Sequence, residues 1–229
     1  MALPKIETPK YKLNIPSTGH EIEYRPFLVK EEKLLLIAQE SNNTADIITA
    51  MKTIIENCTF GAIKVDELTT YDFEYIFLQL RIKSIGETSD VRMLCSECEE
   101  YSEVTIDLNE VKIAQPEEKP KSLVMLTDTV GIKLKPISVK YIDKIDEDDM
   151  TAVFRSVIES IFDEEKIYDV SDHSDKELDE FIDSISHSAL EEVNNFIDNQ
   201  PKLTYEGEFK GQTGHVNKFL LEGFQSFFA

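Results

Sequence analysis

Basic residues are scarce. The chain of 229 residues carries 24 lysines and arginines against 45 aspartates and glutamates, a formal charge of −21. No basic stripe of the kind that neutralises phosphates can be drawn on it, which excludes the usual nucleic-acid footprint. The same balance argues against an anionic membrane surface. No apolar run approaches the length needed to span a bilayer, and "MALPKIETPKYKL" has no apolar core of the kind a signal peptide requires. The eight glycines are scattered singly, so no phosphate-cradling G-x-x-x-x-G-K-[ST], no G-x-G-x-x-G and no G-x-S-x-G nucleophile turn is present. Only three cysteines occur, two of them too close for an ordinary disulfide framework, which fits a reducing cytosol. A hydrophobic content of 41% is enough for real cores. An acidic surface this strong keeps a chain soluble or suits a basic partner.

The segments that are present alternate between strand and helix patterns. "YKLNI" and "EIEYRPF" alternate apolar and polar residues around the turn "PSTG", which predicts a hairpin. "VKEEKLLLIAQES" predicts a short helix, and "TADIITAMKTIIENC" a second with Ile47, Ile48, Met51, Ile54 and Ile55 on one stripe. A third is predicted from Thr69, its N-cap, with Asp72 three residues on and Leu68 and Phe73 as a hydrophobic staple. Its buried face is Phe73, Ile76, Phe77 and Leu80. A second hairpin follows in "VRMLCSECEEYSEVTIDL", and then the polar, proline-bearing 109–121 reads as a linker.

The second half repeats this order. "IEYRPFLVK" (22–30) aligns with "IKLKPISVK" (132–140), "MKTIIENCTF" (51–60) with "FRSVIESIFD" (154–163), and Thr69 and Asp72 with Ser174 and Glu177, a full capping box. After a short inserted helix at 188–199, "EFKGQTGHVNKFLLEG" falls where the cysteine hairpin fell. The expected fold is α+β, with two pseudo-repeated lobes, each a β-hairpin, about three helices and a zinc-ribbon-like knuckle hairpin. The expected boundaries are 1–108 for the first lobe, 109–121 for the linker and 122–229 for the second.

Cys95 and Cys98 are half of a tetrahedral zinc site, which needs four ligands. In the alignment they correspond to Lys210 and Thr213, so the facing pair is gone. Cys58 aligns with Ile161 on an apolar face and reads as a core cysteine. His215, in the second hairpin, is the best further ligand, and a site shared between two chains is an alternative. So is a vestigial thiol pair in a turn. A catalytic redox pair is disfavoured, because Glu99 and Glu100 beside it should raise the thiol pKa. The expectation is no cofactor, with zinc as the one candidate. His20, His173 and His187 lack ligand spacing and read as surface histidines. The acidic run 143–150 lacks the order of a calcium loop and suits a helix N-terminus. No catalytic constellation is found. The C-terminal "LLEGFQSFFA" is aromatic where free termini are usually polar. It must dock on its own core or on a partner, and Phe224, Phe227 and Phe228 are the expected partner-binding residues.

"MALPKIETPKYKLNIPSTGHEIEYRPFLVKEEKLLL", "LTTYDFEYIFLQLRIKSIGE" and "EGFQSFF" together resemble the T-even-type bacteriophage baseplate protein family, the hub-associated subunit of contractile-tailed phages. The resemblance covers nearly the whole chain. It implies a baseplate hub subunit or a hub assembly factor without enzymatic activity, whose partners are other hub or wedge proteins. It places the chain in the host cytoplasm during assembly and in the tail baseplate afterwards. The family's C-x-x-C knuckles are of zinc-ribbon type. This chain keeps Cys95 and Cys98 and departs at 210–213. An assembly chaperone that leaves the particle and a zinc-ribbon protein-binding module are the alternative functions.

Overall fold

A computed structural model describes residues 6–41, 43–116, 119–142 and 149–227, without the side chain of Gln225. In chain order the elements are β1 (Tyr11–Asn14), β2 (Glu21–Tyr24), α1 (Val29–Glu40), α2 (Thr44–Cys58), α3 (Thr70–Ser84), β3 (Thr88–Leu94), β4 (Tyr101–Asp107) and β5 (Lys112–Ala114). Then come β6 (Leu123–Met125), β7 (Gly131–Leu134), α4 (Val139–Ile142), α5 (Met150–Val157), β8 (Ile158–Phe162) and β9 (Ile167–Asp169). The chain ends with α6 (Asp175–Ile182), α7 (His187–Asp198), β10 (Lys202–Lys210), β11 (Val216–Glu222) and a 3-10 turn, Phe224–Phe227. The class is mixed α and β, with small antiparallel sheets. Contacts divide the chain into two compact units: Met1–Val65, Tyr71–Ala114 and Lys202–Ala229 in the first, Asp66–Thr70 and Gln115–Pro201 in the second.

In unit 1 the first hairpin forms where alternation places it. Leu13 faces Ile22 across the strands, Tyr24 is buried, and Gly19 takes a φ of 68° to close the turn. Asn43 caps α2 by accepting the Ala45 N–H at 3.0 Å, and Ile48, Met51, Ile54 and Ile55 form its buried face. α3 buries Phe73, Ile76, Phe77 and Leu80 as its spacing requires, and its Asp72 carboxylate accepts the Ser17 N–H of the β1–β2 loop at 2.9 Å. One core gathers Leu78 and Ile82 of α3 with Val91, Ile106, Leu203, Leu221 and Phe227.

A buried ion pair ties β2 to both following helices. Arg25 Nη2 lies 2.9 Å from Glu31 Oε1, with both side chains almost wholly enclosed. The second Glu31 oxygen accepts the Leu28 N–H at the start of α1, at 2.8 Å. The other Arg25 nitrogen donates to the Pro26 carbonyl and to Cys58 Sγ at the end of α2. Burial by itself raises the Glu31 pKa. The bonds from Arg25, the Leu28 N–H and Lys30 outweigh it, and the net shift is downward.

In unit 2 a four-stranded antiparallel sheet, in the order β6, β7, β8, β9, packs on α5, α6 and α7 through Val124, Ile132, Phe154, Ile158, Ile182 and Val193. The Ser174–Glu177 capping box forms in full. Replacing Ser174 with alanine is expected to cost about 1 kcal/mol, read as a lower urea midpoint. The inserted helix expected at 188–199 is α7.

Three expectations meet a different structure. Residues 154–163, aligned with 51–60, which is helix to Cys58, are helix only to Val157. From Ile158 they pair with β7, because β-branched and aromatic residues complete that sheet. Phe162 lies so close over Gly131 that a Cβ there would fall 2.3 Å from its ring. The expected linker 109–121 opens with β5, in which Ile113 pairs with Leu203 of β10. The hairpin of β10 and β11 belongs to unit 1, so 122–229 is divided between the units.

Candidate functional site

The two hairpins that sequence alignment equates face one another within unit 1. Between β3 and β4 a tight turn forms: Glu99 N–H donates to the Cys95 carbonyl and Cys95 N–H to the Glu100 carbonyl, each at 3.0 Å. Glu99 adopts the left-handed conformation, φ 56°, that such a turn demands. Between β10 and β11, Gly214 N–H donates to the Gly211 carbonyl, Gly211 N–H to the His215 carbonyl, and Gly214 has φ 84°. The turn hydrogen bonds therefore put Gly211, rather than Lys210, in the place of Cys95.

Asn217 closes the pair. Its Nδ2 donates to Cys95 Sγ at 3.3 Å, and its Oδ1 accepts the Ser96 N–H at 3.0 Å and the Ser96 hydroxyl at 2.8 Å. Thr213 Oγ1 and His215 Nδ1 lie 3.3 and 3.5 Å from Glu97 Oε2. Cys95 is wholly buried and Cys98 half-buried. The N–H groups of Cys98 and Glu97, the Asn217 amide and the Cys98 thiol hold the Cys95 thiol below its ordinary pKa, against the opposing effect of burial. The upward push expected from Glu99 and Glu100 does not set the direction of the shift, because those N–H groups converge on the sulfur itself. Asn217 is the residue that sequence reading passed over. Its only signal is its place, two residues beyond His215.

A zinc ion does not fit this donor set. It needs four good ligands, and among the described residues no three His, Cys, Asp or Glu side chains group to hold a metal. Opposite Cys95 stand a glycine and a carboxamide. His215 follows the turn between β10 and β11, and its Nδ1 lies 3.5 Å from Glu97 Oε2. Cys58 is a core thiol, and burial pushes its pKa up to about 11.

The aromatic C-terminus docks on its own unit. Phe227 is wholly buried and its carbonyl accepts the Ser89 hydroxyl at 2.7 Å. Phe224 meets Phe77 edge to face, with ring centroids 5.5 Å apart. Of the residues expected to anchor a partner, Phe227 is enclosed by this chain's own core, Phe224 is half-buried against it, and Phe228 lies outside the described residues.

Glu74 of α3 accepts the Phe224 backbone N–H, and burial pushes its pKa from the ordinary 4.5 up to about 7 despite that bond. The folded chain thus holds the proton more tightly than the unfolded chain. Docking should weaken as pH rises through the window from about 4.5 to about 7. Glu74→Gln is expected to remove that pH dependence, measured as hydrogen exchange of the 223–227 amides at pH 5 and pH 8.

In unit 2 a shallow cavity of ≈ 300 Å³ is lined by Phe162, Tyr168, His173 and Phe181, with Asp163 and Glu177 at hand. Asp163 is engaged by the Lys166 N–H, the Tyr168 hydroxyl and the Glu165 N–H, and Glu177 by Ser174. Those bonds serve local turns and caps. Of the acidic run, 143–148 lies outside the described residues. Asp149 caps α5 by accepting the Ala152 N–H. His187 opens α7 beside Glu191. Among the described residues no helix is long and apolar enough to cross a membrane.

Comparison with curated proteins and with solved structures returned no match. A family model described as T4 bacteriophage base plate protein matches residues 8–229, nearly the whole chain. The chain belongs to the T4 bacteriophage base plate protein family.

Proposed function

We propose that this chain is a non-enzymatic subunit of the baseplate hub of a contractile phage tail. It acts through protein–protein interfaces with neighbouring hub or wedge proteins. Membership of the family over residues 8–229 carries the baseplate role. The hub position rests on the sequence resemblance. The surface supports an interface function. On α1, Val29, Leu36 and Ile37 are 64%, 52% and 66% exposed, and exposed apolar side chains on a helix are suited to cover by a partner. The net charge of −21 favours partners with basic rims and speeds their encounter. Nucleic acid and lipid are not partners in this reading.

A tail subunit is assembled in the host cytoplasm and leaves with the particle. An assembly factor with the same contacts leaves the complex before that. Quantitative mass spectrometry of purified particles against infected-cell lysate separates the two. A fixed copy number per particle is expected. A chain abundant in lysate and missing from particles is an assembly chaperone, and its interfaces must then be weak enough to release. A zinc-ribbon binding module is the least supported function, because the paired knuckles lack the ligands.

A further inference from the structure

Cys95 and Cys98 are the first and fourth residues of a turn closed by hydrogen bonds from Glu99 N–H and Cys95 N–H. Within it the Cys98 N–H and the Cys98 thiol both reach the Cys95 sulfur, the proximity a disulfide requires, with Cα atoms about 4.4–6.8 Å apart. Both side chains are free thiols. On the far side of Cys95 the space is filled: a Cβ on Gly211 would lie 2.5 Å from Cys95 Sγ, and the buried Asn217 amide donates to that sulfur. On the turn side the neighbour of that sulfur is the Cys98 thiol.

We propose that Cys95 and Cys98 form a thiol–disulfide pair, closing to an intramolecular disulfide on meeting a low-molecular-weight disulfide of the glutathione class. The burial of the two sulfurs assigns the order. Cys98, half-buried, is the one the oxidant can reach, and Cys95, enclosed, can only resolve. The Cys98 thiolate attacks one sulfur of the glutathione disulfide. The S–S bond breaks, and one glutathione thiolate leaves and takes up the proton Cys98 lost. The Cys95 thiolate then attacks the Cys98 sulfur of the mixed disulfide, and the second glutathione leaves with the Cys95 proton. Two protein thiols are oxidised, and one glutathione disulfide is reduced to two thiols. Asn217 is a positioning residue: it fixes the Cys95 sulfur without entering the exchange. The bond would pin the knuckle in the geometry that Asn217 already imposes. In a reducing cytoplasm the pair stays open. A particle outside the cell leaves that reducing pool. That last step rests on the baseplate reading, and the chemistry does not.

The test uses the full-length chain, equilibrated across ratios of glutathione to glutathione disulfide, with thiols alkylated and peptides weighed. The expected result is a Cys95–Cys98 disulfide at ratios where Cys58 remains a thiol, unaffected by prior addition of zinc. Cys95→Ser should accumulate one glutathione on Cys98, and Cys98→Ser should leave Cys95 unreacted. If either variant fails to fold, the wild-type masses still decide. The proposal is overturned if the wild-type pair stays reduced at the most oxidising ratio. It is also overturned if glutathione persists on wild-type Cys98 without ring closure, or if stoichiometric zinc co-purifies and blocks oxidation.

Discussion

Glu31→Ala is expected to destabilise unit 1 by about 3–5 kcal/mol, because it leaves the Arg25 guanidinium buried without its partner. Arg25 and Glu31 are 9% and 3% exposed, and their 2.9 Å contact holds three elements together: the end of β2, the start of α1 and the end of α2. Glu31→Gln should cost less, since an amide can still accept from Arg25 or from the Leu28 N–H. The loss should appear in a urea titration and as faster hydrogen exchange in α1 and α2. Unit 2 should be unaffected, since the network lies wholly in unit 1. The pH dependence follows from the downward shift of the Glu31 pKa. The folded carboxylate holds its proton less tightly than the unfolded one. Its contribution is therefore complete above the ordinary carboxylate value and is lost as pH falls through the lower folded value. A Glu31→Ala protein should lack that part of the acid destabilisation.

Phe227→Ala is expected to cost about 3–5 kcal/mol, the range for emptying a buried aromatic site. Phe227 has no exposed surface and packs in the core formed by α3, the β3–β4 hairpin and the β10–β11 hairpin. Phe224→Ala should cost less, since that ring is only half-buried where it packs edge to face on Phe77. Thermal and urea unfolding of the isolated protein read both. If Phe227→Ala melted like the wild type, the ring would not be a core element, and a partner would again be its natural neighbour.

The helices of unit 1 were the most legible part of the sequence. In α2 the stripe Ile48, Met51, Ile54, Ile55 has one physical meaning, a single buried face, and a capping residue precedes it. The capping box of α6 was equally clear, because Ser174 and Glu177 have few other reasons to stand three apart before an apolar run. The segment 154–163 was harder. "VIESIF" carries apolar residues at spacings that suit helix or strand, and only β7 alongside it decides for strand. β5 was hidden for the same reason: three residues between polar stretches form a strand only because β10 is there to pair with them. The turn at Cys95 was legible from its sequence, and the hairpin facing it was legible as a second strand–turn–strand pattern. What filled the space between them was not. Asn217 and Gly211 are ordinary in sequence and acquire their role from a contact more than a hundred positions away.

Removing the chain from its phage is the most direct test of a baseplate component that works through interfaces. A nonsense codon early in its gene, in a host that cannot suppress it, should leave filled heads without functional tails. Baseplates should be missing or incomplete in negative-stain images, and a wild-type copy supplied in trans should restore them. Normal numbers of tailed, infectious particles would contradict that role.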